Sequence, residues 1–172
     1  MNIEPNPRYT IRAATLGDSA EIARLAGELG YPTPAEEISA RLQSLLVRPN
    51  HFIAVAAGDG NKQLLGWIAG EERRLLVAAS QIEVMGLVVD HEARRLGVGQ
   101  ALIGALERWA NEARGMGYVV VRSNVLRAES HPFYERLGYR RKKSQHVYLK
   151  ELDAEPSSVL ASETVSRRPN PA

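Results

Sequence analysis

The stretch QIEVMGLVVDHEARRLGVGQALIGALERWANEARG, residues 81–115, decides the fold of this chain. Its first part, residues 82–90, is apolar and rich in β-branched side chains, which predicts a largely buried strand. From Ala101 onward, apolar residues recur at helical spacing with charged residues between them, which predicts an amphipathic helix that begins near Gly97. A strand, a glycine-containing turn and a helix therefore follow one another directly.

Gly86 lies inside the predicted strand. Glycine weakens a strand because it has no side chain to pack, so its usual meaning there is a β-bulge or the close approach of a ligand or another backbone. A glycine without any such role is the alternative. The sequence alone leaves these interpretations open.

Two arginines and two glycines lie between the predicted strand and helix: Arg94, Arg95, Gly97 and Gly99. The first turn of a helix has free backbone N–H groups and the positive end of the helix dipole, and glycines let an anion approach them closely. This glycine turn, residues 94–100, therefore favours a phosphate or diphosphate ligand.

Two common phosphate motifs do not fit the glycine turn. A Walker loop needs Lys and then Ser or Thr after its last glycine, whereas Gly99 is followed by Gln100 and Ala101. A dinucleotide fingerprint needs Gly or Ala three residues after Gly99, where Leu102 stands, and needs its glycines directly at the strand end. Neither motif therefore accounts for the glycine turn.

The composition is that of one ordinary globular domain, with 172 residues, 44% of them hydrophobic and 24% charged. No apolar run approaches the roughly 20 residues that span a bilayer, and the N-terminus has no apolar signal core. We therefore expect no membrane partner and a cytoplasmic location. The net charge of +2 is too small to predict general nucleic-acid binding.

The chain has no cysteine, which excludes disulfides, thiol nucleophiles and cysteine-ligated metal. Its four histidines are scattered and show no pair at metal-ligand spacing. We therefore expect no metal site.

Antiparallel hairpins precede the strand-to-helix crossover, and this order predicts a mixed sheet with helices on its faces. The other predicted elements are a strand at 9–12, a helix capped at 15–18 and ending at Gly30, a helix capped by Thr33 with Pro34 in first position, a hairpin of 52–57 and 64–68 continuing through 77, a strand at 118–125, a short helix capped by Ser130 or His131 and ending at Gly138, and a last strand at 146–149. Residues 1–8 are expected to be a flexible leader and residues 151–172 a polar, disordered tail.

Two motifs in this order resemble the GNAT superfamily of acyl-CoA-dependent N-acyltransferases. The first is Arg94-x-x-Gly97-x-Gly99, which fits the superfamily's pyrophosphate motif, and the second is Phe133-Tyr134-x-x-x-Gly138-Tyr139. The resemblance covers residues 9–150. It implies one α/β domain of mixed α+β type, with a central mixed, mostly antiparallel sheet, a splayed parallel strand pair and helices on both faces.

The resemblance also implies acetyl-CoA as co-substrate and acetyl transfer to a primary amine by direct attack in a ternary complex. The pantetheine arm of the coenzyme would pair with backbone groups of Leu87, Val88 and Val89. The diphosphate of the coenzyme would bind the glycine turn. The cofactor-binding residues implied for that turn are Arg94, Arg95, Leu96, Gly97, Val98, Gly99 and Gln100.

An amine needs a base before it can attack a thioester, because an alkylamine with a pKa of about 10.4 is almost entirely protonated at pH 7. By resemblance to the histone-acetyltransferase-like members, Glu83 on the central strand is the base. The alternative is that Glu83 merely pairs with an arginine on a neighbouring strand, such as Arg122.

Tyr134 occupies the superfamily's tyrosine position, where the phenol would hydrogen-bond or protonate the departing coenzyme A thiolate. The alternative is a core tyrosine beside Phe133. Many relatives have asparagine at the position of Arg127, and neither Arg127 nor Asn124 is assigned a coenzyme contact. His131 is favoured as a helix cap or helix-end charge over a catalyst.

The expected acceptor is a small-molecule or peptide amine, and a homodimer is possible by analogy with relatives. The two helices after the first strand are implied to line the acceptor side, where Tyr31 could face an acceptor or simply pack its ring. One alternative function is a regulatory domain that binds acyl-CoA without turnover. Another, nucleic-acid binding through Arg94 and Arg95, is disfavoured because the basic residues form no continuous stripe.

Overall fold

The computed structural model describes residues 9–59 and 63–152. The chain divides into two units, Met1–Arg141 and Lys142–Ala172. In the described residues, every helix and strand lies in the first unit. The strands are β1 Tyr9–Ala13, β2 His51–Gly58, β3 Leu64–Arg73, β4 Gln81–Val89 and β5 Val119–Val121. The helices are α1 Ser19–Leu29, α2 Ala35–Leu46, α3 Val98–Arg108, which continues as a π-helical turn at Trp109–Ala113, and α4 Ser130–Arg136.

The five strands form one mixed sheet in the order β1-β2-β3-β4-β5, in which only β4 and β5 are parallel. The sheet has helices on both faces because alternate strand residues point to opposite sides. Ala54 and Ala56 of β2 lie in the core cluster beneath α3, whereas Val55 lies in the cluster beneath α1 and α2. Side chains of α4 pack on the α3 cluster. The predicted fold class is confirmed.

A bulge interrupts β4 at the point where Gly86 predicts one. Val84 pairs with Gly70 and Gly86 with Ala69, so Met85 is an extra residue without a partner on β3. A Cβ on Gly86 would lie 2.8 Å from two ring carbons of Trp67. The strand therefore needs glycine here, and the group that approaches it closely is the indole ring.

The start and end of α1 agree with the sequence. Gly30 ends the helix in the left-handed conformation, with φ of 94°. Before the helix, the Asp18 carboxylate accepts the Thr15 N–H and two hydrogen bonds from Arg12, at 2.7 and 2.8 Å. The Arg12 hydrogen bond, which outweighs the effect of burial, lowers the pKa of Asp18.

Two predicted strands are shorter than expected because they run out of partners. β3 ends at Arg73, opposite Gln81, and the predicted continuation to Val77 instead forms the connection to β4, with Leu76 fully exposed. β5 ends at Val121 instead of residue 125, because its partner β4 bulges immediately after Val84.

The predicted last strand at 146–149 is wrong. In the second unit the described residues, 142–152, contain no helix or strand, and Val147, Tyr148 and Leu149 are exposed. A run of apolar and aromatic residues favours a strand, but it does not form one without a partner for its backbone N–H and C=O groups. The leader at 1–8, residues 60–62 of the predicted turn, and the tail from residue 153 lie outside the described residues.

Two predicted helix caps are also wrong. Pro34 is the residue before α2 rather than its first residue, and the hydroxyl of Thr33 donates to the carbonyl oxygen of Tyr31. Ser130 is already the first residue of α4, and its hydroxyl donates to the Arg127 carbonyl.

In the described ranges, no helix is both long and apolar enough to cross a bilayer.

Candidate active site

β4 and β5 separate next to the bulge. Their pairing covers only three positions and ends at Val84 and Val121. Just after the end of β4, a main-chain bond on the β3 side runs from the Asp90 N–H to the Leu65 carbonyl oxygen, at 2.9 Å. Successive strand residues point their backbone groups to alternate neighbours, so the groups of Val88 also face β3. Those of Leu87 and Val89 face the opening left by β5.

The glycine turn lies at the exposed end of this opening. Arg94, Arg95, Gly97 and Gln100 are exposed, whereas Val98 is buried in the core cluster. Arg95 and Gly97 have positive φ angles of 65° and 81°, which set the direction of the backbone through the turn. Leu96 packs on the same cluster and anchors the turn from below.

The first turn of α3 has N–H groups that the helix itself does not use. The Ala101 N–H donates to the Gly97 carbonyl oxygen at 2.9 Å, which is the first hydrogen bond of the helix. The preceding amides, those of Val98, Gly99 and Gln100, have no intrahelical acceptor. Val98 is buried, but Gly99 is half-buried and Gln100 is exposed, so the amides of these two residues lie near solvent at the positive end of the helix dipole, which suits an anion.

The tertiary structure brings the two motifs into contact. A Cβ on Gly99 would lie 3.1 Å from a ring carbon of Phe133, so α4 packs directly on the start of α3. The rings of Phe133 and Tyr134 are 5.1 Å apart, and those of Tyr134 and Tyr139 are 5.8 Å apart. The small size of Gly99 therefore allows α4 to pack closely on the start of α3.

Tyr134 is half-buried on the α3 face of the sheet. Burial raises the pKa of its phenol, and the positive charge of Arg127 opposes this effect. The neighbouring Tyr139 donates its hydroxyl proton to Glu107 Oε1 at 2.8 Å, and burial together with this bond raises the pKa of Tyr139. Tyr139 is thus committed to a structural contact.

Glu83 lies on the opposite face from Tyr134, because its neighbours Ile82 and Val84 both point into the α3 cluster. It is 7% exposed, and its Oε1 accepts a hydrogen bond from Arg122 Nε at 2.6 Å. Arg73 Nε is 3.6 Å from its Oε2. The ion pair with Arg122 that the sequence offers as an alternative is therefore present.

The sequence prediction missed one buried charge beside the glycine turn. Asp90 directly follows β4 and is 2% exposed, and its carboxylate accepts a hydrogen bond from Arg24 of α1 at 2.8 Å. The sequence signal is an acidic residue between a strand and a glycine turn. Its partner lies 66 residues earlier in the chain, and no local pattern indicates that pairing.

Three residues with metal-ligating atoms lie close together near the turn, although the sequence has no histidine pair at metal-ligand spacing. One atom from each of Glu28, Asp90 and His91 lies within 4.8 Å of the others. Arg24 already contacts both carboxylates, so its charge competes with any cation there. The described residues therefore give no reason to place a metal at this point.

Residues 20–139 match the model of the acetyltransferase (GNAT) family. The chain belongs to this family. An uncharacterized N-acetyltransferase from Methanocaldococcus jannaschii is 30% identical to this GNAT chain over 150 residues, covering 87% of this chain and 84% of the relative. Membership makes the protein an acetyltransferase and implies acetyl transfer from acetyl-CoA to an amine.

Solved structures confirm the GNAT fold. The aminoglycoside N-acetyltransferase AAC(6')-Iy in complex with CoA has a TM-score of 0.76 at 18% identity, covering 88% of this GNAT chain and all of that one. The glucosamine-6-phosphate N-acetyltransferase from Arabidopsis thaliana has a TM-score of 0.73 at 19% identity, covering 84% of this chain and 99% of that one. At these identities the likeness concerns the fold alone.

Proposed function

We propose that this protein transfers the acetyl group of acetyl-CoA to a primary amine by direct attack within a ternary complex, and that residues 9–150 form the catalytic domain. The observation that carries the proposal is the position of the glycine turn. Its free amides lie at the exposed end of the opening between β4 and β5, in contact with α4 through Gly99 and Phe133. One groove can therefore hold an anionic group and an extended chain.

The coenzyme follows that groove. Its pantetheine amides pair with the backbone groups of Leu87 and Val89, because those of Val88 face β3. One group of this pair polarises the thioester carbonyl. Its diphosphate accepts hydrogen bonds from the amides of residues 95–100, and the exposed guanidiniums of Arg94 and Arg95 add positive charge.

The transfer proceeds by loss of a proton from the amine, attack on the thioester and departure of the thiolate. A base takes a proton from the ammonium group, at a cost of about 4 to 5 kcal/mol at pH 7 for an alkylamine. The amine nitrogen then attacks the thioester carbonyl carbon, the C–N bond forms, and the C–S bond breaks with its electron pair on sulfur. The phenol of Tyr134 gives its proton to this thiolate, and the nitrogen loses its second proton to solvent.

The two faces of the sheet divide the acid from the base. Glu83 lies on the face that carries α1 and α2, and Tyr134 lies on the α3 face. A thioester held in the opening between β4 and β5 is accessible from both faces. The amine can thus approach from the side of Glu83 while the sulfur departs toward Tyr134, which supports the assignment of base and acid.

Replacing Gly97 with alanine tests the glycine turn. An alanine at φ of 81° costs about 1 to 2 kcal/mol in that conformation, so the turn relaxes away from it and coenzyme A binds roughly 5- to 30-fold more weakly. Isothermal titration calorimetry with coenzyme A measures the effect. Gly115→Ala is the matched control, because Gly115 also has a positive φ, 62°, and lies at the far end of the same helical segment. Equal affinities in the wild type and Gly97→Ala would remove the phosphate argument.

Comparing Glu83→Gln with Arg122→Gln tests whether Glu83 acts as the base or only as an ion-pair partner of Arg122. If Glu83 takes the amine proton, Glu83→Gln lowers kcat by about 10- to 100-fold, whereas Arg122→Gln retains most of the activity because it leaves the carboxylate in place. Steady-state kinetics between pH 6 and 9 measure both. Equal losses in the two variants would make the ion pair structural and assign the base elsewhere.

The acceptor is proposed to be a small-molecule or peptide amine, because similar folds include an aminoglycoside and a glucosamine-6-phosphate N-acetyltransferase. Tyr31 is 65% exposed in the connection between α1 and α2, so its ring is available to an acceptor on that face. Release of free thiol from acetyl-CoA, measured across a panel of amines, tests turnover. Coenzyme binding without any turnover across that panel would favour a regulatory domain. We also propose that the protein is cytoplasmic and forms a homodimer.

A further inference from the structure

The carboxylate of Asp90 links the end of β4 to the segment that leads into the glycine turn. Its Oδ1 accepts the Glu92 N–H at 3.0 Å and so caps the 3-10 turn His91–Ala93. Its Oδ2 accepts a hydrogen bond from Arg24 Nη1 at 2.8 Å. Burial alone raises the pKa of Asp90, but the Glu92 N–H and the Arg24 charge together outweigh it, so the pKa is lowered and the group stays ionised.

Besides Asp90, Arg24 contacts the start of β3 and a glutamate of its own helix. Its Nη2 donates to the Leu64 carbonyl oxygen at 3.0 Å, while the Leu64 N–H donates to Glu21 Oε2 at 3.0 Å. Glu21 also accepts hydrogen bonds from Arg24 itself. One turn further along α1, Glu28 accepts the N–H of His91 at 3.0 Å. Glu21, Arg24 and Glu28, which lie along one side of α1, thus hydrogen-bond the start of β3 and the residues just after β4.

We propose that Asp90 and Arg24 form a positioning pair that holds the glycine turn in its coenzyme-binding conformation. The pair sets the affinity for acetyl-CoA without touching the coenzyme. The inference rests on the proposed function, since it concerns the same coenzyme site. It goes further by assigning control of that site to α1, which lies on the acceptor face of the sheet.

The reason lies in the way the turn offers its hydrogen-bond donors. Free amides bind a diphosphate well only when their directions are fixed before binding, because ordering them afterwards consumes binding energy. Arg95 and Gly97 both adopt positive φ angles, so the turn depends on restraint from its ends. Val98 and Leu96 supply that restraint from the core, and Asp90 supplies it at the strand end. Asp90 itself is buried beneath Arg24, so it cannot serve as a coenzyme ligand.

Asp90→Asn is the first test. The amide keeps one oxygen for the Glu92 N–H but loses the charge that binds Arg24. We expect the KM for acetyl-CoA and the Kd for coenzyme A to rise about tenfold, with kcat and the acceptor KM within about twofold of the wild type. The matched control is Asp18→Asn. Asp18 is also a buried aspartate that binds an arginine and a main-chain N–H, but it lies before α1. It should leave the acetyl-CoA KM unchanged.

Arg24 variants keep the test decisive if Asp90→Asn folds poorly. Arg24→Gln should raise the acetyl-CoA KM as much as Asp90→Asn does, and Arg24→Lys, which retains the charge, should restore part of the affinity. The double variant should raise the acetyl-CoA KM no further than either single variant, since the two residues are proposed to act through one contact. Thermal unfolding of each variant measures its stability, so that a loss of stability can be compared with the rise in acetyl-CoA KM.

The outcomes are distinct. Wild-type protein that does not bind coenzyme A in calorimetry overturns the proposed function. Wild-type protein that binds it while Asp90→Asn and Arg24→Gln bind it equally well overturns the positioning pair alone. A rise in acetyl-CoA KM that Asp18→Asn reproduces also overturns it, because the effect would then be one of general stability.

Discussion

We expect Tyr134→Phe to lower kcat about 100-fold while the KM for acetyl-CoA changes less than about twofold. General acid catalysis contributes roughly 10²- to 10⁴-fold, and a phenol near its ordinary pKa is only about 1.5 units above a coenzyme thiol, a deficit of about 2 kcal/mol. Burial increases that deficit and the charge of Arg127 reduces it. Phenylalanine preserves the ring contacts with Phe133 and Tyr139, so the fold should persist.

Tyr139→Phe is the control for this prediction. Its hydroxyl is also half-buried on the same face, but it donates to Glu107 rather than to a reacting atom. Stopped-flow or steady-state release of coenzyme A measures both variants. We expect Tyr139→Phe to keep nearly full kcat, and equal losses in the two would reduce Tyr134 to a packing residue.

Gly86→Ala should destabilise the protein by about 1 to 3 kcal/mol. The new methyl group would lie 2.8 Å from two carbons of the rigid Trp67 ring, so either the strand or the indole must move. Each kcal/mol lowers the melting temperature by about 2 to 4 °C for a chain of this size. Urea and thermal unfolding measure the change.

Two further variants make the Gly86 test specific. Gly27→Ala places a methyl group in open space on α1 and should stabilise the protein by about 0.5 to 1 kcal/mol, since alanine favours a helix over glycine. In a Trp67→Leu background the penalty of Gly86→Ala should shrink, because the colliding ring is gone. An undiminished penalty there would mean that the bulge itself, rather than the indole, requires glycine.

Local chemistry accounts for the elements that were correctly predicted. The bulge follows from a glycine inside an apolar strand, and the end of α1 at Gly30 follows from a residue that adopts a positive φ freely. The glycine turn before α3 follows from Arg94, Gly97 and Gly99 in succession. Each of these features depends on a few neighbouring residues.

The errors share a different cause. Residues 74–77 and 146–149 have strand-forming sequences, but a strand exists only where another backbone supplies its hydrogen bonds, and sequence composition does not reveal the partner. The same limit applies to charges. The sequence does not show which arginine pairs with Glu83, and only the structure places Arg122 Nε 2.6 Å from its carboxylate.

The sequence by itself determined the family, the order of the central elements and the position of the glycine turn, because each of these depends on residues that lie close together in the chain. Only the tertiary structure decided which groups meet across the sheet. It brought Phe133 onto Gly99, put Glu83 and Tyr134 on opposite faces, and joined Asp90 to Arg24. Such contacts arise when distant segments pack together, and the free energy of that packing is shared among many residues that no local pattern records.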